Sequence, residues 1–505
     1  MNAELKPQPN IKTAIKIKRT PRVVIVGAGM SGLLSAIKLR DAGITNITIL
    51  EKADKVGGTW RDNTYPGLSC DVPAHMYTYS FAGNPEYSNR YAKGPEIQAY
   101  FERVSKEYEL ESLIQFSTEV TDAQYENAEW RLTTASGEQL VADIVLCATG
   151  VLHHPRYPDI PGLEDFNGEM WHTARWNHNV DLTGKRVGII GTGSTATQIV
   201  AAITDKVGTL NLFQRTAQWI YPLFDREYKE SHKEKLRNDK SLSRKLHDRY
   251  SWLFNVTFPK LVTGNRLLQW LVSYTCKWHL ESKVKDPALR EKLRPSYQAG
   301  CKRLIFAKGF YEAIQKDNAN LITENIERIE PTGVRTKDGQ LHECDVLVLA
   351  TGFHAHSFMR PMEMHGVDGQ SLAQLWSEGA FAHKTISLPG FPNFFMLTGP
   401  NSPIGNFSLI AINELQVDYI LKLIEKWTSG EADAIEPRAE VTSLYNQKLQ
   451  DSMNHTIWVT GCKSWYFDEF GKLAMWPWSM DLFREEMAAP KWEEFELTTL
   501  AQNSD

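Results

Sequence analysis

Two glycine-rich hexads carry the most specific chemistry in this chain. Gly27-Ala28-Gly29-Met30-Ser31-Gly32 and Gly191-Thr192-Gly193-Ser194-Thr195-Ala196 share one spacing, with glycine or alanine in the last slot. Glycine there lets backbone amides close on a pyrophosphate, and a helix starting behind the turn adds N–H donors and positive dipole. The residue ending the next strand then selects the ribose. Glu51, after Ile47 to Leu50, would accept hydrogen bonds from a ribose diol. The second unit carries Gln214-Arg215-Thr216 at the corresponding place. An acid there would repel a 2′-phosphate, whereas arginine grips one bidentately, so this unit should prefer NADPH to NADH. The alternative for Arg215 is an ordinary surface charge.

The flanking residues supply the elements that must hold these turns. Val23-Val24-Ile25-Val26 and Val187-Gly188-Ile189-Ile190 read as buried strands; Leu33, Leu34 and Ile37 share one face of a helix that Gly43 ends. Strand, glycine turn, helix and strand therefore occur twice, which predicts an α/β chain with two Rossmann-like dinucleotide-binding domains. Two complete units imply two different nucleotides, a resident flavin and an exchanging nicotinamide. The loop Gly57-Gly58-Thr59-Trp60 through Tyr65-Pro66-Gly67 to Asp71 should lie near the first nucleotide, at the carboxyl ends of the strands. Trp60 either covers a flavin ring or anchors that loop. Asp71 has the commoner alternative of an Asx turn. Cys147-Ala148-Thr149-Gly150 and Ala350-Thr351-Gly352-Phe353 bring strand ends into bare turns where a ligand can approach.

With 505 residues and 42% hydrophobic content, the chain can form two or three domains. A net charge of −5 gives no electrostatic case for nucleic-acid binding. The six cysteines include no CxxC pair, which argues against a metal site, a disulfide framework and a dithiol redox centre. Residues 1–22 are basic and polar and are expected to be a disordered lead-in. No run reaches the roughly eighteen apolar residues of a membrane span, so a cytoplasmic location is expected. A helix is predicted around Ile97 to Phe101, a meander over Thr118 to Tyr125, Glu129 to Thr134 and Asp143 to Leu146, and a helix from Leu409 to Trp427. Asp225 to Arg294 has helical character with Trp- and Leu-rich stretches. Its apolar face is expected to be core, ahead of tunnel wall or membrane patch. The expected division is 23–150 with 390–505, then 151–224 with 301–389, and a helical insertion over 225–300.

Between the two units, Phe166-Asn167-Gly168-Glu169-Met170-Trp171-His172-Thr173-Ala174-Arg175-Trp176-Asn177 would by physics alone be a linker with a buried structural histidine. It resembles the FxGxxxHxxxW signature of type I Baeyer–Villiger monooxygenases, through Phe166, Gly168, His172 and Trp176. The loop from Gly57 to Asp71 is similar to that family's second pattern, and both Ala-Thr-Gly turns and Lys302-Arg303 fall in family order. The resemblance runs from about Val23 to Trp478. Asn177 departs from it, since the family usually has Pro or Asp there.

The resemblance implies FAD in the first unit, NADPH in the second and O2 as oxidant. The implied reaction inserts one oxygen atom beside a ketone carbonyl, through an anionic flavin peroxide, giving an ester or lactone. Gly27, Gly29, Ser31, Gly32, Glu51, Thr59, Trp60, Asp71, Tyr77 and Val120 would lie on the flavin. Ser69, Cys70, Thr192, Gly193, Ser194, Thr195, Ala196, Thr197, Gln198, Arg215, Thr216 and Trp465 would lie on NADPH, with Lys302 helping to hold its 2′-phosphate. Arg303 would be the catalytic arginine and Asp71 its carboxylate partner, while His172 and Trp176 would couple motions of the two domains. The nearest rival is a flavin monooxygenase that oxygenates sulfur or nitrogen. A non-catalytic, membrane-associated protein using the Trp-rich insertion is the rival of another class.

Overall fold

The computed structural model describes residues 15–499 apart from 263, 405–406 and 463. The apolar run Val23–Val26 is buried throughout and sits at the centre of a five-stranded parallel sheet. Ile47–Leu50 and Ile114–Gln115 extend it on one side, Ile144–Cys147 and Phe394–Met396 on the other. Continuous apolar runs suit such strands, because helices cover a parallel sheet on both faces. Met30–Asp41 follows the first glycine turn directly, and Leu33, Leu34 and Ile37 enter the core as expected.

The second unit repeats the plan. Arg186–Ile190 lies between Thr209–Phe213 and Val346–Leu349, with Ala319–Ile322 and Glu169–His172 at the edges, all parallel. Its glycine turn leads into the helix Ser194–Ile203. The molecule is therefore α/β with two Rossmann-like units, and the insertion, which interrupts the second unit, is helical: Glu230–Asn238, Lys240–Val262, Arg266–Lys283 and Pro287–Lys292. Gly94–Glu107 and Leu409–Thr428 are the other two helices read from the sequence.

Several expectations are corrected. The third strand of the meander is Gln139–Ala142, while Ile144–Cys147 returns to the parallel sheet. A turn-poor run of apolar residues hides that change of partner. Glu363–His365 already pairs with Val120–Glu126, so the chain rejoins the first unit before residue 390. The lead-in expected over residues 1–22 is packed from residue 15 on. Ile15 is buried, and Arg19 binds Asp433 at 2.5 Å and lies over the Trp427 ring at 3.9 Å. Residues 1–14 lie outside the described residues. The absence of a disulfide is overturned too, since Cys301 and Cys462 are bonded with Cα atoms 6.1 Å apart. They stand 161 residues apart, a separation at which local spacing gives no signal. The other four cysteines are free and buried. Among the described residues no cluster is suited to a metal ion, and no helix is long and apolar enough to cross a membrane.

The insertion departs furthest from expectation. Trp252, Leu253, Leu267, Trp270, Leu271, Tyr274 and Trp278 are exposed rather than core. Periodicity shows that an apolar face exists, but not which neighbour is there to cover it.

The C-terminal segment is fixed by a buried polar knot. Lys384 is 1% exposed and lies 2.8 Å from Glu494 and 3.0 Å from Glu486; Nε2 of His383 is 3.3 Å from Glu494. Burial pushes the Glu494 carboxyl up, but the His383 and Lys384 contacts outweigh it and hold it at about 2. A carboxylate depressed from about 4.5 to about 2 contributes stability that is present above the higher value and lost as pH falls through the lower. The contribution is on the order of 3 kcal/mol. Urea midpoints should therefore drop between pH 5 and pH 2 more steeply for the parent than for Glu494→Gln. The variant should also be weaker at pH 7, because it leaves Lys384 with one carboxylate fewer. Parallel slopes for the two proteins would rule this account out.

Candidate active site

The first glycine turn is closed by contacts that only glycine permits. A Cβ on Gly32 would fall 1.9 Å from the Gly27 carbonyl oxygen, and one on Gly27 (φ 106°) would fall 2.7 Å from the Ala148 oxygen. The Ala-Thr-Gly turn thus packs directly against the fingerprint turn. On its other side, a Cβ on Gly58 would lie 3.2 Å from the Gly29 Cα, and the Gly57 amide donates to the Ala28 oxygen at 3.1 Å. The contacts that close the turn are mainly backbone ones, as a pyrophosphate cradle requires. Glu51 is buried. It accepts from the Ala28 amide at 2.8 Å, the Ala53 amide at 3.0 Å and Arg61 at 2.9 Å, so it ties the turn to the second strand. Ser31 is buried with its hydroxyl 3.5 Å from the Ala148 oxygen. Thr59 is exposed where the short helix Thr59–Asp62 begins, and Val120 shares a core with Leu50.

Asp71, on the loop of the first unit, meets Arg303 of the second. Nη2 and Nε of Arg303 both donate to Oδ2 of Asp71, at 2.6 and 3.1 Å. Burial acts to lower the guanidinium pKa, but the attraction of Asp71, then of Tyr466, outweighs it and raises the value above that of a free arginine. Arg303 is therefore a fixed cation. Trp60 donates from Nε1 to the Tyr77 hydroxyl at 3.1 Å with the rings edge-on at 5.5 Å, so it anchors its loop while also facing a cavity. Tyr77 is buried, and its hydroxyl is pushed well up by that burial. Cys70 is buried likewise, its thiol raised far from reactivity.

The second cradle is built from Thr192 to Gln198. A Cβ on Gly193 would meet nothing within 4 Å, so the backbone there is open to a ligand. Thr192 donates to the Thr216 oxygen at 2.8 Å, which fixes the strand end bearing Arg215. Ser194 and Thr195 are half-buried at the start of the helix, while Ala196 and Thr197 are buried. Gln198 crosses to the first unit: Nε2 donates to the Ser69 oxygen at 3.0 Å, and Oε1 accepts from the Tyr65 hydroxyl at 3.1 Å. A cavity of about 1080 Å³ opens here, lined by Trp60, Tyr65, Ser69, Gln198, Phe306 and others. Arg215 is exposed. Lys302 lies close enough that burial and then the charge of Arg215 lower its pKa. Two neighbouring cations without a carboxylate between them suit a dianionic phosphate.

Lys302-Arg303 follows Cys301, and the disulfide ties that segment to the loop bearing Trp465 and Tyr466. The Trp465 oxygen accepts from Nε2 of His356 at 2.9 Å, and the rings of Trp465 and Tyr466 are 5.2 Å apart. Cys301, Cys462 and Tyr466 are not among the residues expected from the sequence, and Tyr65 is expected only as part of the loop near the first nucleotide; the position of Tyr466 beside Trp465 hinted at its place. Without reductant, the denatured protein should titrate four thiols and with reductant six. Reduction should lower stability by about 2–4 kcal/mol. Six thiols in the unreduced protein would exclude the bond.

His172 is buried where an edge strand of the second sheet ends. Its Nδ1 accepts from the Ala174 amide at 3.1 Å, so Nε2 carries the proton and donates to the Gly352 oxygen at 3.0 Å. Burial lowers its pKa, in keeping with a neutral ring. It thus clasps the signature to the second Ala-Thr-Gly turn. A Cβ on Gly168 would lie 2.5 Å from the Asp345 oxygen, Phe166 packs beside it, and Trp176 meets Trp171 edge-on at 5.5 Å.

Two glycine turns open to a nucleotide, with an arginine held by Asp71 from the first unit's loop, suit a flavin-dependent oxygenase. Residues 20–365 match the family model described as flavin-binding monooxygenase-like, and the chain belongs to that family. It is 45% identical over 483 residues to an uncharacterized monooxygenase of Mycobacterium tuberculosis, covering 96% of this chain and 97% of that protein. It is 38% identical to a Baeyer–Villiger monooxygenase of Streptomyces coelicolor, covering 92% and 90%. A crystal structure of OTEMO in complex with FAD and NADP superposes with a TM-score of 0.86 at 25% identity, covering 95% of this chain and all of that one.

Proposed function

We propose that this protein is an FAD- and NADPH-dependent Baeyer–Villiger monooxygenase acting on a ketone with O2 to give an ester or lactone. The observation that carries this reading is the Asp71–Arg303 pair, which joins a loop of the first unit to a segment of the second with both guanidinium contacts on one carboxylate oxygen. FAD would be held by the turn Gly27 to Gly32, Glu51 and the loop through Asp71, and NADPH by Thr192 to Gln198, Arg215, Thr216 and Lys302. When bound, the flavin supplies O2 activation and the nicotinamide supplies the hydride. Residues 23–150 and 390–505 form the FAD portion in this reading, 151–224 and 301–389 the NADPH portion, with Glu363–His365 lent to the first.

The chain itself supplies a fixed charge and its orientation. Arg303 keeps its proton through the cycle, so it favours negative charge on a nearby oxygen without exchanging protons. The substrate carbonyl oxygen, which would become anionic when oxygen adds to the carbonyl carbon and would lose that charge as the neighbouring carbon migrates, would be stabilised by the same guanidinium. Asp71 aims the guanidinium, leaving the remaining Nη1 face for substrate. Burial pushes the Cys70 thiol up, so it would face the nicotinamide nucleotide as a neutral group. Gln198 and Ser69 hold the two units together at the cavity, and His172 holds the second turn in register.

Mass spectrometry of products from a ketone panel, with FAD-loaded protein, NADPH and isotopically labelled O2, tests the assignment. One labelled oxygen in an ester or lactone establishes it and names the ketone class. A labelled sulfoxide or N-oxide with no ester would instead assign the sulfur and nitrogen chemistry. Hydrogen peroxide alone from every ketone would count against carbonyl oxygenation.

A further inference from the structure

The helical insertion presents a surface that neither nucleotide unit uses. In Arg266–Lys283 the inner face is satisfied: Cys276 and Leu280 are fully buried, and Leu268 and Val272 pack against Leu261, Ala299 and Leu304. The outer face is apolar as well. Leu267, Trp270, Leu271, Tyr274 and Trp278 recur at helical spacing along one stripe, with Leu267 74% and Trp270 61% exposed. The Trp270 and Tyr274 rings stack at 5.5 Å, so the stripe is continuous there. Lys240–Val262, the helix before it in the chain, adds Trp252 and Leu253. Seven of the fourteen large apolar residues exposed among the described residues lie on this one hairpin. Scattered exposed leucines need no explanation, but such a concentration does.

Charge decides what covers it. Arg249 and Lys260 stand three before and seven after the Trp252-Leu253 pair, on its face of the helix, and all are exposed. Arg266 opens the second helix and Lys277 lies beside Trp278. Among the described residues Arg249, Lys260 and Arg266 form no ion pair, while Glu281 is already engaged by Arg294 at 3.5 Å and Lys277 at 3.9 Å. Asp248, four before Trp252 and against His247, is also exposed, but the cations outnumber it and the face is apolar with surplus positive charge. A second copy would bring the same surplus against it, whereas anionic lipid headgroups would neutralise it. Tryptophan and tyrosine favour the headgroup level of a bilayer, and an apolar helix flanked by Lys and Arg lies in the plane of that interface.

We propose that this hairpin docks the protein on anionic membrane surfaces, without crossing them. The inner side of the hairpin packs on Ile220–Pro222 and Ile305–Ala307, whose Phe306 and Ala307 line the 1080 Å³ cavity. The helix and the two strands beneath it therefore separate the docked face from that cavity. The inference does not depend on which substrate is oxidised.

Co-sedimentation of the full-length, FAD-loaded protein with vesicles provides the test. Phosphatidylcholine vesicles containing phosphatidylglycerol should bind roughly tenfold more protein than pure phosphatidylcholine, and salt should weaken the binding. Trp270→Glu with Trp278→Glu should abolish binding while leaving FAD content and NADPH oxidation unchanged, and Arg249→Glu with Lys260→Glu should remove the preference for phosphatidylglycerol. No binding to either vesicle, or equal binding by parent and Trp270→Glu/Trp278→Glu, would overturn the proposal. So would a dimer by light scattering that the tryptophan variant splits, since a second copy would then be the occupant.

Discussion

Arg303→Ala is expected to retain FAD and accept hydride from NADPH, yet to form ester at less than about one-hundredth of the parent rate. The reasoning is electrostatic. Flavin reduction needs the two nucleotides in contact, and the cradles that hold them, Gly27 to Gly32 and Thr192 to Gln198, do not include Arg303. Oxygen transfer instead places negative charge on oxygen, and Arg303 is the cation fixed beside Asp71 at the meeting of the two units. Removing one preorganised donor to a developing oxyanion costs about two to three orders of magnitude in rate. Arg303→Lys should recover little. Lysine has one ammonium in place of a planar fork, so it cannot satisfy Asp71 and still present a directed N–H to substrate. Asp71→Asn should fall between the two, because the guanidinium keeps its charge but loses its anchor. Stopped-flow flavin reduction measured beside product yield separates the steps. Ester formation by Arg303→Ala within tenfold of the parent would remove the assigned role.

Arg215→Ala should raise the KM for NADPH by about ten- to a hundredfold, the range for a hydrogen bond to a charged group. The KM for NADH should hardly change, since only the 2′-phosphate distinguishes the two. Lys302 stands close enough to Arg215 for each to feel the other's charge, so part of the phosphate contact should survive in the single variant. Lys302→Ala with Arg215→Ala should therefore lose more than either alone. A phosphate bound between the two cations would also relieve their repulsion, so they should act as a unit in a double-mutant cycle. Equal losses for NADPH and NADH would sink the phosphate assignment.

Much of the molecule was legible in the chain because its decisive signals are local. A glycine turn, its strand, its helix and the residue closing the next strand fall within about thirty residues, and backbone sterics alone dictate their types. Both Rossmann-like units and the helices of the insertion followed from such short patterns. What failed were questions of partnership. Ile144–Cys147 has strand character in either sheet, and only the assembled core shows that it pairs with Val23–Val26.

The same limit applies at the site. Asp71 and Arg303 stand 232 positions apart, and their types alone allowed an Asx turn and an ordinary ion pair; the family resemblance paired them, and folding shows the contact. Gln198 reaches Ser69 across 129 positions, and Cys301 reaches Cys462 across 161. The exposed Trp270 and Trp278 look like core residues in the chain, because hydrophobic periodicity records a face and not its neighbour. Sequence by itself determined the two nucleotide cradles, since each is made of contiguous backbone. Tertiary structure decided the ion pair between them, the disulfide behind it and the uncovered face of the insertion, since each depends on which distant segments meet.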